Sequence, residues 1–313
     1  MIGKPALAGL VPRTRSSRPR GGKGDRELRV QRGTRIIKLL VALRFRSSRR
    51  IVTQVVANFG IGPLVAALVL GAASTATQPA RADTFVEQSA EFRMQLDFVV
   101  PDPALRKFLP AGWEPNIATQ GPAKDCNLRM IFIDRVDITG ADGAPIGSNR
   151  LVYLAIPVKQ SGSSTVGQMI IAGLTSDPKD APGPFGNYEL ATTARMDRSL
   201  NATGKDALME ENWEFVAANG ERLEVHLKYE RGPARKGGSE VKFFSPTNPS
   251  SYQIFKVEQG IDIMRNATVP IRDRVKEFSY KAAGGRLGPL FDGSEHVVSI
   301  DSFHWYNRGI YLP

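Results

Sequence analysis

The run Trp213-Glu-Phe-Val-Ala217, the pair Asn219-Gly220 and the run Leu223-Glu-Val-His-Leu-Lys-Tyr229 follow one another along the chain. Two β-rich runs around Asn-Gly predict a hairpin, with the pair supplying the positive φ values of a type I′ turn. In the second run Leu223, Val225, Leu227 and Tyr229 fall on one face, and Glu224, His226, Lys228 and Glu230 on the other. That period of two marks a half-buried strand. Upstream, Phe92 to Val100 repeats it, with Phe92, Met94, Leu96, Phe98 and Val100 in phase. Asp102-Pro103 then predicts an N-cap followed by proline at the first helical position, with a short helix from Ala104 to Leu109 stopped by Pro110. Further strands are expected at 128–133, 151–158, 167–174, 240–244, 252–257, 275–281, 296–304 and 309–312. The 151–158 run is apolar on both faces, which suits a central position. Many short strands between Gly/Pro turns predict a mainly β domain with short helices, an antiparallel sandwich or barrel.

Charge divides the chain in two. Residues 1–82 hold 16 of the 42 basic side chains and 2 of the 31 acidic ones, leaving 26 and 29 for residues 83–313. The total of +11 therefore belongs to the leader. A near-neutral body disfavours a phosphate-tracking surface, so no nucleic-acid partner is expected. Residues 1–50 are Arg-, Ser- and Gly-rich and read as a disordered leader, with a start placed too early as the alternative. Residues 51–82 read as a signal peptide. The apolar run 61–73 is short for a membrane span, and Ala80-Arg81-Ala82 fits a cleavage site. Arg49-Arg50 resembles a twin-arginine signal. An organellar transit peptide and an uncleaved anchor are the rival readings. The expected product is periplasmic or secreted, has no stable membrane association after cleavage, and is one domain over 83–313.

Cys126 is the only cysteine, which excludes an intrachain disulfide framework and any multi-Cys zinc site. It reads as a small buried hydrophobe. No P-loop or His-Glu-x-x-His motif occurs, and neither a metal nor a cofactor is expected. Ser161-Gly-Ser-Ser164 reads as a surface turn.

Several segments together resemble the acetoacetate decarboxylase-like family: Pro101 to Pro115, Leu128-Arg-Met-Ile-Phe-Ile-Asp134, the Asn219-Gly220 hairpin, Gly285-Arg-Leu-Gly-Pro-Leu-Phe-Asp292 and the tail from Val298. The resemblance implies a cone-shaped, mostly antiparallel β-barrel around a largely apolar pocket. It also implies a Schiff-base lysine in a Pro-Lys-Lys-type segment, made nucleophilic by a depressed pKa. The matching stretch here is Gly186 to Met196. Glu189 falls on the family's glutamate, but Arg195-Met196 falls on the lysine pair, and no lysine lies between Lys179 and Lys205. A guanidinium stays protonated and offers no nucleophilic lone pair, though it can clamp a carboxylate. The candidates are therefore Arg195, Tyr252 and Trp113 for ligand contact and Glu189 as a pocket acid. Lys228 is the candidate for a relocated amine. The expected function is binding of, or action on, a small oxo or carboxylic acid without the usual lysine. The alternatives are a Schiff-base lyase working through Lys228 and a lipocalin-like carrier of an apolar ligand; any of these could form oligomers.

Overall fold

The computed structural model describes residues 82–268 and 270–313. The expectations for the leader, the signal peptide and the twin-arginine pair concern earlier residues and lie outside the described ones. The described chain is mainly β. Its strands are β1 (Thr84–Val99), β2 (Trp113–Pro115), β3 (Leu128–Gly140), β4 (Pro145–Gln160), β5 (Val166–Thr175), β6 (Tyr188–Thr203), β7 (Asp206–Ala217), β8 (Arg222–Glu230), β9 (Arg235–Phe244), β10 (Tyr252–Asn266), β11 (Arg272–Asp273), β12 (Val275–Ala283) and β13 (His296–Leu312). One short helix, α1 (Asp102–Arg106), follows β1.

Seven strands close into a ring. The hydrogen-bonded order is β1, β3, β4, β5, β9, β10, β13 and back to β1. Six of its seams are antiparallel. The seventh, β5 to β9, is parallel and holds only two residue pairs, Gln168↔Phe243 and Met169↔Phe244. Strands β6, β7, β8 and β12 form a second antiparallel sheet, tied to the ring where Gly173 on β5 meets Tyr188 on β6.

Strand alternation then decides what each face buries. Met94, Leu96 and Phe98 of β1, Met130 and Phe132 of β3, and Val152, Leu154 and Ile156 of β4 point outward from the ring. They pack on Trp213, Phe215, Leu223, Val225, Leu227 and Tyr229 of the second sheet. The opposite phase of the same strands faces the lumen, with Ile131, Ile133, Leu151, Tyr153, Ala155, Phe243, Phe255 and Phe303. Both faces of β3 and β4 are thus covered, which is why 151–158 is apolar throughout. Full burial of each large side chain stabilises by about 1.5–3 kcal/mol.

Three local expectations change. The helix starts earlier and is shorter: Pro101 occupies the N-cap position, and Asp102 pairs with Arg106 at 2.7 Å instead of capping. The hairpin turn is not type I′, because of Asn219 and Gly220 only Gly220 has positive φ, at 84°. Ala217 and Glu221 bracket a three-residue loop closed by a 2.8 Å bond, a turn followed by one left-handed residue. The runs 296–304 and 309–312 are one strand, β13, because bulges carry the ladder past Trp305 without ending it.

Candidate functional site in the barrel lumen

The lumen-facing phase of β1 is polar. Glu91, Arg93, Gln95 and Asp97 alternate with the outward apolar residues, and all four are buried. Cross-strand register groups them with partners. Asp97 lies opposite Arg129 on β3, and Gln95 lies opposite Asp301 on β13. Asp97 and Asp301 are therefore diagonal neighbours on adjacent strands. These groups border a lumen cavity of about 310 Å³, together with Tyr153, Gln168, Phe243, Gln259, Phe303 and Tyr306.

Among the described residues, five buried polar atoms around this cavity have no hydrogen-bond partner: Arg93 Nη2, which is in ionic contact with Glu91, and Asp97 Oδ2, Arg129 Nε, the Tyr153 hydroxyl and Gln168 Oε1. Arg129 Nε is 3.5 Å from Asp97 Oδ1. The other Asp97 contact is the Gln95 amide, which donates to Oδ1 at 3.0 Å. Buried polar groups are nearly always paired, so this concentration on one cavity sets it apart from the rest of the described core. Among the described residues, no lysine borders the cavity.

Burial raises the carboxyls of both Asp97 and Asp301, and for Asp301 the nearby Asp97 charge adds to the effect. Arg129 opposes it at each, as do the Gln95 bond at Asp97 and the Ser299 bond at Asp301, where the hydroxyl donates at 3.0 Å. A carboxyl raised in the fold keeps a proton that the unfolded chain releases, so stability falls as pH rises above the ordinary carboxylate range. Asp301→Asn removes that cost while keeping an acceptor for Ser299. Its urea midpoint is expected above wild type at pH 8, and by more than at pH 5. A gap that is larger at pH 5 would contradict the assignment.

A second layer closes one side. Glu91 contacts Arg93 at 2.5 Å and Arg308 at 2.8 Å, accepts from Ser89 at 2.5 Å, and has Arg135 at 3.9 Å. Arg93 lies flat on the Tyr306 ring, 3.6 Å from its centroid. Burial pushes the Glu91 carboxyl up, but Arg308 and Arg93 overcome this and hold it at about 2. Cys126, 1% exposed, abuts the site; burial and then Asp97 push its thiol up to about 12, leaving it un-ionised.

The sequence candidates lie elsewhere. Arg195 is on β6, pairs with Asp197 at 2.7 Å, and its side chain is 67% exposed. It lines an open hollow of about 450 Å³ on the outer face of the second sheet, beside Asn212 and His226. The charges there pair among themselves, as in Arg222 with Glu224 at 2.6 Å, so the hollow offers a ligand little. Glu189 is exposed at the start of β6. Lys228 faces outward from β8 and bonds Glu277 at 3.0 Å. That bond raises its pKa and keeps it protonated, the opposite of a reactive amine. Tyr252 and Trp113 both pack on Phe244, with centroids at 5.3 and 4.6 Å, and neither borders the lumen cavity. The groups that do converge, Asp97, Arg129, Tyr153, Gln168 and Asp301, were absent from the sequence candidates.

Comparison with solved structures gives three examples. An acetoacetate decarboxylase-like enzyme from Sphingomonas wittichii RW1 is 13% identical, with a TM-score of 0.47, over 74% of this chain and 93% of that one. The likeness is to acetoacetate decarboxylase-like enzymes. The enduracididine biosynthesis enzyme MppR complexed with pyruvate is 12% identical, with a TM-score of 0.44, over 80% and 96%. An acetoacetate decarboxylase from Legionella pneumophila is 14% identical, with a TM-score of 0.38, over 76% and 90%. No family model matches the chain. No curated protein matches it either. No part of the site is inferred from these likenesses.

Proposed function

We propose that the barrel lumen binds a small oxo or carboxylic acid without a covalent lysine adduct. The convergence of unpartnered buried polar atoms on one cavity carries this reading. Arg129 Nε and the Tyr153 hydroxyl are donors, and Asp97 and Asp301 are carboxyls that burial raises. An acceptor-rich ligand answers them: a carboxylate on the guanidinium, a carbonyl oxygen on the hydroxyl. A proton-bearing carboxyl beside a bound carbonyl supplies general acid catalysis, which suits enolisation or addition at that carbon. Schiff-base chemistry needs an amine, and among the described residues no lysine borders the cavity.

Calorimetric titration with pyruvate and 2-oxobutyrate tests it. Arg129→Met and Tyr153→Phe are each expected to weaken binding, the first by about 10- to 100-fold because a charged hydrogen bond is lost. Borohydride added with the acid is expected to leave the protein mass unchanged. Unaltered affinity in both variants, or a reduced adduct on a lysine, would overturn the proposal.

A further inference from the structure

A groove of about 560 Å³ lies at the β5–β9 seam. Arg129, Gln168 and Val241 border both this groove and the lumen cavity, so the two meet through the wall at those side chains. The wall is thin there. Only Gln168↔Phe243 and Met169↔Phe244 join the strands. Because the register is parallel and β5 starts at Val166, most of β9 runs past the seam without a β5 partner. Beside Glu240 and Lys242, the groove is lined by Ile117 and Val166, which are 44% and 53% exposed. Exposed apolar side chains flanking the way into a polar cavity match a ligand with a polar head and an apolar tail.

We propose that the acid bound in the lumen carries an unbranched alkyl tail, which leaves the barrel between β5 and β9 and lies between Ile117 and Val166. This rests on the lumen reading above and adds a substrate class to it. The head occupies the cavity of about 310 Å³ beside Asp97 and Tyr153. Arg129, bordering both spaces, sits where head passes to tail.

The test compares 2-oxobutyrate with 2-oxooctanoate by titration calorimetry on the full chain. Burying one methylene tightens binding by roughly four-fold. The open groove covers the tail only in part, so 2-oxooctanoate is expected to bind at least about 10-fold tighter. Val166→Asp and Ile117→Asp each place charge at an exposed position of the groove lining, and each is expected to bring the ratio of the two affinities toward one. Tight binding of the short acid with no gain for the long one would overturn the tail site and leave the lumen reading standing. A chain-length gain that survives in both variants would also overturn it. Binding of neither acid would remove the lumen reading, and this inference with it.

Discussion

Glu91→Gln will lower the thermal midpoint by about 10 °C, an unfolding free-energy loss of about 3 kcal/mol or more. Glutamine keeps the shape and removes the charge. Arg93 and Arg308, 3% and 4% exposed, would then be buried cations that have lost their shared counter-ion. Breaking a buried pair from one side is costly because the charge left behind has no solvent to turn to. The pH dependence separates this from a packing defect. The folded carboxyl is held at about 2, below its ordinary value of 4.5. Its stabilisation is complete above about 4.5 and is lost as pH falls through about 2. The gap between wild type and Glu91→Gln in urea midpoint should therefore narrow from pH 7 to pH 3. A gap of equal size at both values would show that the charge is not what matters.

Phe132→Ala should cost a similar amount, about 3–5 kcal/mol, by a different route. Phe132 is fully buried on the outward face of β3, with the rings of Trp213 and Phe215 at 5.8 and 6.1 Å. It sits where the ring meets the second sheet. Truncation leaves a cavity that two stiff sheets cannot close, so the thermal midpoint should drop by about 10 °C with little pH dependence. A drop of only a degree or two would mean that the sheets collapse onto the gap.

Strand positions were legible in the sequence because alternation is local. Leu223 to Tyr229 and Met94 to Phe98 were placed on their buried faces correctly. The other phase of β1 was not legible. Glu91, Arg93, Gln95 and Asp97 read as the solvent side of a half-buried strand, yet a closed ring turns that side inward. No periodicity distinguishes water outside a sheet from a polar interior within one. The available signal was chemical: Asp97 stands directly before Phe98-Val99-Val100, and Asp301 stands directly after Val297-Val298-Ser299-Ile300. Charges set into such apolar strands are candidates for an enclosed site. β6 was missed because Glu189, Asp197 and Arg198 sit on a strand with few fully buried residues, which leaves almost no apolar phase to detect.

The first and last strands of the described chain, β1 and β13, pair along nearly their whole length, from Thr84↔Leu312 to Val99↔His296. Two polypeptide segments some two hundred residues apart must meet before the ring exists, a long-range closure that makes assembly slow. During translation β1 emerges first and waits, its Glu91, Arg93 and Asp97 in water, until the residues through Leu312 clear the ribosome. Until then the nascent chain has no lumen at all.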